Sequence, residues 1–479
     1  MNVPLSAYLA EIKQPLKRLV GILAKDFPYV SILSTDSTGM RYSVRKRAID
    51  TRQSDWCERG SVIRVFDGRQ YLEYSFNELD QGSLEDTESL ADTIRERFRK
   101  SSAVGGRLPF GVPELPQISE QPLSETWQGS VEVLPEPVPA EQIIGRLSRL
   151  KDRAFRLSEH LVEAEARLEH MRVSKLFVSA TRELEQSYIW AQGYLIAVVR
   201  RDEATREMYA SYSGLKGLEL IEEMEAGIED TMNIAEQLLD AARIEPGEYE
   251  VILSPNVAGL LAHESFGHGV ETDMFVKNRA KAEEYLGKAV ASPMVNLRDG
   301  ALAAEQTGTY RFDDEGVLGA DTLVIEKGIF KTGISDLLSA LRLGTPPTGN
   351  GKRESFERKA YARMTNTFFT GGTDSLEEMI ASIDRGYLLE KFLSGMEDPK
   401  NWGIQGQILY AREIRDGKLT GKLVSPLLMF GYVPEVLGSV SMVSREVEHS
   451  GSGMCGKGYK DFVKNSLGGP YIKTKMRLG

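Results

Sequence analysis

Cysteine and histidine are scarce in this sequence, and their scarcity narrows the classes of protein that it can represent. Among 479 residues there are five histidines and two cysteines, Cys57 and Cys455. Two cysteines so far apart provide no disulfide framework, which suits a reducing compartment. We therefore expect a cytoplasmic protein.

Long apolar runs and an excess of basic charge are also missing. No run reaches the roughly 20 residues that span a bilayer, and the N-terminus lacks the pattern of a signal peptide, so we expect no membrane association. The formal net charge of −11 argues against nucleic-acid binding, which requires a basic surface. With 41% hydrophobic residues, the chain can bury more than one core.

The periodicity of apolar residues predicts an α+β fold with three regions. Residues 1–105 read as an antiparallel sheet with amphipathic helices. Residues 106–245 read as a proline-rich linker followed by long helices and strands; helices are expected at 140–171 and 222–243, with strands between them. Residues 246–479 read as a strand-rich lobe.

The C-terminal lobe opens with the most informative stretch of the chain, which contains His263, Glu264 and His268. An apolar strand ending at Leu253 precedes Ser254, a helix cap, and Pro255, which suits a first helical turn. Two imidazoles and a carboxylate on a buried helix point to a divalent metal. Two structural histidines are the alternative interpretation.

The spacing of the two histidines differs from His-Glu-x-x-His, in which i and i+4 share one helix face. An i+5 pair lies roughly 140° apart on an ideal helix and cannot chelate one ion. We expect either a bulge or a helix that ends near Phe266, with His268 turned back by a kink that Gly267 and Gly269 permit.

A third metal ligand is available in the glycine-dense segment around Cys455. A thiolate binds zinc, and two histidines with one cysteine leave a fourth position open, as a catalytic site requires. Glu264 would then be the general base toward a metal-activated water. His449 is a weaker ligand candidate, and a buried inert thiol is the alternative role for Cys455.

Five motifs in the order expected for one family lie within residues 245–460, and by them the chain resembles the TldD/PmbA family of metalloproteases. They are His263-Glu-Ser-Phe-Gly-His268 with Glu271 and Asp273, Asp313-Asp314-Glu315-Gly316, Thr348-Gly-Asn-Gly-Lys352-Arg353-Glu354-Ser355, Arg363-Met-Thr-Asn366-Thr367, and Gly453-Met-Cys455-Gly456-Lys457.

The resemblance implies a catalytic chain of the TldD type, because both histidines and the cysteine are present. It also implies a dimer, either with a TldE/PmbA-like subunit or with itself, and a peptide substrate that is small, unfolded or modified. One stretch, residues 397–405, replaces a glycine-rich run expected in the family, which bears on substrate preference. A noncatalytic partner subunit and a regulator that binds DNA or a topoisomerase are the alternative functions.

The sequence also contains charged and aromatic residues that could act beside the metal ligands. Glu271 and Asp273 could orient a ligand imidazole, and Lys457 or Tyr459 could stabilise an oxyanion. Arg353 and Arg363 could meet a substrate carboxylate, although we expect both to be solvated.

Overall fold

An eight-stranded sheet organises the first 214 residues of the protein. The structure is a computed structural model that describes residues 1–77, 79, 84–105, 114–458 and 461–479. Up to Gly214 its elements are α1 (Ala7–Leu23), β1 (Tyr29–Arg45), β2 (Ile49–Gln53), β3 (Glu58–Phe66), β4 (Tyr71–Phe76), α2 (Leu84–Gly105), β5 (Leu123–Gln128), α3 (Ala140–Leu157), β6 (Leu161–Ser179), β7 (Arg182–Arg201) and β8 (Ala204–Gly214).

The strand order in this sheet is β4-β3-β1-β6-β7-β5, with β2 paired to β1 and β8 paired to β7. Strands β1, β6 and β7 are long, and β1 pairs with β6 in an antiparallel register from Ser31↔Ser179 to Arg45↔Glu165. One sheet thus contains strands from both sides of residue 105. The boundaries at residues 105 and 245 remain a prediction.

The prediction of a helix over residues 140–171 is wrong in its second half. Helix α3 ends at Leu157, and β6 begins at Leu161. Residues 161–168 alternate in burial because one face of the strand packs against α3. The predicted linker also contains β5, which pairs with β7 in parallel; Pro109 and Pro113 lie outside the described residues.

The remaining elements belong to the C-terminal half. They are α4 (Leu220–Leu238), β9 (Gly247–Leu253), α5 (Pro255–Phe266), α6 (Thr272–Val276), β10 (Leu297–Asp299), β11 (Thr322–Glu326), β12 (Ile329–Phe330), α7 (Leu337–Leu343), β13 (Gly351–Lys352), β14 (Tyr361–Ala362), β15 (Asn366–Phe369), α8 (Leu376–Ala381), β16 (Arg385–Asp398), β17 (Gly403–Arg415), β18 (Lys418–Val424), β19 (Leu427–Tyr432), α9 (Val433–Gly438), β20 (Met442–Val443), β21 (Glu448–Ser450), β22 (Cys455–Lys457), β23 (Asp461–Val463), β24 (Ser466–Gly469) and β25 (Ile472–Leu478).

Two sheets of this half enclose helix α5. One has the order β12-β11-β10-β15-β24-β21; the other has the order β16-β9-β25-β19-β17-β18, and a further pairing of β16 with β17 closes five of its strands into a ring. Helix α5 packs on β15 and β24 at one side and on β16 at the other. Every residue of α5 except Asn256 is buried as a result.

The architecture confirms the predicted α+β class, with a strand-rich C-terminal lobe. Within the described residues, no helix combines the length and the apolar character needed to cross a bilayer.

A buried ion-pair cluster joins the eight-stranded sheet to the C-terminal half. Arg64 on β3 lies 2.8 Å from Glu73 and 2.5 Å from Glu315, and Arg353 lies 2.5 Å from Glu73. The Glu315 side chain is 1% exposed and also accepts the Leu337 N–H. Since each charge has an opposite partner, the desolvation of the cluster is compensated.

We predict that Glu315→Gln destabilises the protein by about 3 kcal/mol, because it removes a negative charge from a buried cluster. Urea unfolding followed by circular dichroism measures the change. The matched control is Glu229→Gln, which breaks an exposed pair with Arg153 and should leave the free energy of unfolding unchanged within error. Equal stabilities of the two variants would contradict the role of the cluster.

Candidate metal centre

Helix α5 carries the first two residues of the centre. Ser254 caps it as predicted: its backbone is extended, and its Oγ accepts the Val257 N–H at 3.4 Å. Pro255 occupies the first turn, where a missing N–H is tolerated. The helix ends at Phe266, which places His263 and Glu264 on its last turn.

The chain turns at Gly267 and continues as a short 3₁₀ helix, His268–Val270. Of the two predicted geometries, the structure has the helix that ends at Phe266. The prediction that unusual glycine angles permit the turn is wrong, because Gly267 has an ordinary φ of −88°. Gly267 is needed for space: a Cβ there would lie 2.1 Å from Met364 Sδ and 2.4 Å from the His263 carbonyl oxygen.

The turn brings the two imidazoles together despite their i+5 spacing. The ring centroids of His263 and His268 are 4.9 Å apart, with an interplanar angle of 89°. Both side chains are almost completely buried.

Cys455 completes the group from strand β22. Its Sγ lies 3.4 Å from His263 Nε2 and 3.3 Å from His268 Nε2. The three donor atoms lie within 4.8 Å of one another. Two donors on a tetrahedral zinc ion, one nitrogen and one sulfur, are about 3.6 Å apart. The spacing and the chemistry of the donor set therefore fit a zinc-type site.

The electrostatics of the three side chains favour a thiolate. Burial raises the pKa of the Cys455 thiol, but His268 and His263 more than offset this and hold that pKa well below its usual range. Burial lowers the pKa of His268, but Cys455 and Glu271 together raise it well above its ordinary value. The thiolate is the form in which cysteine binds a metal.

Arg363 fixes the position of the sulfur. Its Nη2 donates to the Cys455 carbonyl oxygen at 2.8 Å and to Cys455 Sγ at 3.2 Å. Its Nε lies 3.5 Å from Glu271 Oε1, and the side chain is 1% exposed. The expectation that Arg363 is solvated is wrong, and so is the same expectation for Arg353, which the buried ion-pair cluster encloses.

A second layer of hydrogen bonds orients the imidazoles. Glu271 Oε2 lies 3.4 Å from His268 Nδ1, and Asn465 Nδ2 lies 3.2 Å from His263 Nδ1. Lys457 Nζ lies 2.9 Å from Glu271 Oε2 and 2.5 Å from Asp273 Oδ1. Glu271 thus contacts the His268 imidazole, as predicted, whereas Asp273 forms an ion pair with Lys457.

The sequence did not single out Glu397 as a site residue. A carboxylate oxygen of Glu397 lies within 4.8 Å of a carboxylate oxygen of Glu264 and a ring nitrogen of His268. Burial raises the pKa of Glu397 to about 7, His268 opposes the shift, and Glu264 adds to it. Glu397 belongs to the stretch that departs from the family pattern, and this departure was the only signal for it.

The structure does not place the remaining candidate residues, one metal ligand and two oxyanion donors, in the expected roles. His449 packs edge-on against Phe368 and lines a different cavity. Lys457, considered as an oxyanion donor, is paired with Glu271 and Asp273. Tyr459 lies outside the described residues.

A cleft of about 550 Å³ opens onto the centre. It is bordered by His263, Glu264, His268 and Cys455, and by residues 395–397 of β16. The reactive groups are therefore accessible to a ligand although each is largely buried.

Comparison with known proteins places the chain in a family. Residues 246–478 match a family model described as the PmbA/TldA metallopeptidase C-terminal domain. The metalloprotease TldD homolog of Haemophilus influenzae is 30% identical over 335 residues, which cover 66% of this chain and 69% of that protein. A zinc metalloprotease TldD homolog of Saccharolobus solfataricus is 33% identical over 49% of this chain and 52% of its own length.

Matches to other relatives differ in extent. The chain spans about half the length of TldD homologs such as that of Buchnera aphidicola from Schizaphis graminum, at 32% identity and 52% coverage of each chain. Among solved structures, TldE from Thermococcus kodakarensis superposes with a TM-score of 0.75 at 19% identity, covering 97% of this chain and 100% of that one. This likeness shows the shared fold.

These findings define the chain as a member of a metal-dependent peptidase family. It belongs to the TldD/PmbA family, as its sequence motifs indicated.

We predict that Gly267→Ala destabilises the protein by about 1–3 kcal/mol, because the added methyl group would overlap Met364 and the His263 carbonyl. Thermal and urea unfolding measure the loss. Gly269→Ala is the matched control, two residues away with nothing within 4 Å of the added atom. If both variants were equally stable, the close approach at Gly267 would not be a constraint.

Proposed function

We propose that this chain is a metallopeptidase of the HExxxH type, in which His263, His268 and Cys455 hold a divalent metal, with zinc as the first candidate. The observation that carries the proposal is the position of Cys455 Sγ within 3.4 Å of both Nε2 atoms. When bound, the metal would supply Lewis-acid polarisation of the scissile carbonyl and activation of water. The family membership supports the same class of reaction.

Glu264 is the general base in this proposal. It follows His263 on α5, and its carboxylate borders the cleft beside His268. From there the carboxylate can take a proton from the attacking water and then deliver it to the leaving amine. Strand β16 packs directly on this side chain, since a Cβ on Gly395 would lie 2.7 Å from Glu264 Oε1. The packing restricts the rotamers of the base.

The substrate in this proposal is an extended, small or unfolded peptide. Strand β16 pairs with β17 along its length, but its pairing with β9 stops at Leu389. In the described part of the chain, no strand pairs with this edge of β16 beyond Leu389, and Gly395, Met396 and Glu397 of this stretch line the cleft. A peptide can add to this edge through backbone hydrogen bonds, which select for extended conformation more than for particular side chains.

The proposed assembly is a dimer in the cytoplasm, with a TldE/PmbA-like chain or with a second copy. TldE of Thermococcus kodakarensis has the same fold, so the two kinds of chain could associate through equivalent surfaces. Both cysteines are free, as a reducing compartment favours.

We predict that Glu264→Gln lowers the hydrolysis of an unfolded fluorogenic peptide by roughly 10²–10⁴-fold, because the amide cannot accept the proton. Metal content, measured by elemental analysis, should stay at the wild-type value. Glu326→Gln, an exposed substitution in the same lobe, is the control for activity. Full hydrolysis by Glu264→Gln would exclude Glu264 as the base, and hydrolysis without metal would exclude the mechanism.

Metal removal supplies an independent test. When the free metal concentration is 100 times the Kd, metal binding stabilises the folded protein by about 2.7 kcal/mol. A chelator should therefore lower the Tm of the wild type. We predict that Cys455→Ser binds less than one fifth of the wild-type metal and loses the response to the chelator. Cys57→Ser, the matched control, should retain both the wild-type metal content and the decrease in Tm on adding chelator. If Cys455→Ser retained both and Cys57→Ser lost them, Cys455 would not be a metal ligand.

A further inference from the structure

A second cavity lies next to Met454, the residue before strand β22, between the eight-stranded sheet and the C-terminal half. Its volume is about 100 Å³. Its walls include Trp56 from the β2–β3 connection, Tyr188 and Trp190 from β7, and Tyr310 from the other side. Two lysines, Lys352 and Lys464, also line it. The proposed peptidase mechanism uses none of these side chains.

The ammonium group of each lysine donates two hydrogen bonds to the protein. Lys464 Nζ donates to Gln192 Oε1 at 2.8 Å and to the Gly453 carbonyl at 2.9 Å. Lys352 Nζ donates to the Met364 carbonyl at 3.2 Å and to the carbonyl of Lys464. An ammonium group has three donors, so one N–H of each lysine has no partner among the residues that the structure describes.

Neither ammonium group has a carboxylate partner within 4.0 Å among the residues that the structure describes. The other cations of the cavity are paired: Lys175 contacts Asp314, and Arg353 contacts Glu73. The other acids that line the cavity accept backbone N–H groups: Glu58 from Phe356, Asp313 from Gly351 and Glu354 from Phe462. Burial raises the pKa of Glu58 to about 7. Two buried ammonium groups that lack a direct carboxylate partner in the described part of the chain are costly for the folded protein.

The titration of the lysines agrees with this geometry. Burial lowers the pKa of Lys352 to about 7; Arg363 adds to the shift, and Asp314 and Asp299 oppose it without cancelling it. Burial also lowers the pKa of Lys464 to about 7; Glu169 opposes the shift, and the neighbouring Lys352 adds to it. An anion between them would compensate both charges.

The aromatic side chains and the small volume of the cavity determine which kind of anion it can bind. Lys464 Nζ lies 4.5 Å from the centre of the Trp190 ring, and Lys352 Nζ lies 5.7 Å from that of Tyr310. Aromatic walls favour an anion with an apolar part over a strongly hydrated phosphate. A volume of about 100 Å³ corresponds to roughly three waters, which suits a molecule of a few heavy atoms.

We propose that this cavity is a binding site for a small organic monocarboxylate, whose carboxylate accepts one hydrogen bond from Lys352 and one from Lys464 while its apolar part contacts the aromatic walls. The site is separate from the metal centre; of the described residues, Met454 alone lines both this cavity and the metal cleft. The proposal does not depend on peptidase activity.

Isothermal titration of the full-length protein in low-chloride buffer, with butyrate as the probe, tests the proposal. We expect saturable binding of one butyrate per chain, with butyramide and inorganic phosphate at least roughly tenfold weaker, because each loses a charge-assisted bond or the apolar contact. N-acetylglycine, a small mimic of a peptide C-terminus, distinguishes the sources of the carboxylate: competition with butyrate identifies a peptide end, and its failure to compete identifies a free acid.

Substitutions of the two lysines test whether butyrate binds in this cavity. Lys352→Met and Lys464→Met should each weaken butyrate binding at least roughly tenfold, whereas Lys418→Met on the exposed end of β18 should leave it unchanged. Because Lys→Met removes a buried charge while conserving length, we expect folded variants, which circular dichroism checks. The proposal is overturned if butyrate fails to bind, if butyramide binds equally well, or if both lysine variants retain wild-type affinity.

Discussion

The convergence of one sulfur and two imidazole nitrogens is the constraint on which the C-terminal half of this protein depends. Cys455 lies 192 residues after His263 and 187 after His268, yet its Sγ is 3.4 and 3.3 Å from their Nε2 atoms. Three polar groups buried so close together require either a shared proton or a shared cation. The surrounding sheets, which bury helix α5 on both sides, determine where that group lies.

The charges around the centre form a connected set in which each residue fixes another. Arg363 holds the thiol and approaches Glu271; Glu271 contacts His268 and Lys457, and Lys457 contacts Asp273. Buried networks of this kind position a site accurately because no member can rotate without leaving another unpaired. Glu264 has a different environment, beside Glu397 and the open edge of β16, which suits a group that transfers protons.

The sequence predicted which side chains meet at the centre better than it predicted the path of the chain. The cap at Ser254, the helix end at Phe266 and the approach of Cys455 follow from local residue types and from the family motifs. The strand from Leu161 was mistaken for helix because its apolar residues also fit helical spacing, and only pairing with β1 and β7 decides between the two. Glu397 and the burial of Arg363 depend on contacts between distant segments, which no local pattern contains.

X-ray absorption spectroscopy at the zinc edge of the metal-loaded protein tests the central claim most directly. The account predicts a shell with one sulfur at about 2.3 Å and two imidazole nitrogens at about 2.0–2.1 Å, with the remaining position filled by a light atom. In Cys455→Ser the sulfur contribution should disappear. A wild-type spectrum with nitrogen and oxygen neighbours and no sulfur would contradict the proposed ligand set, and with it the assignment of this cleft as the peptidase site.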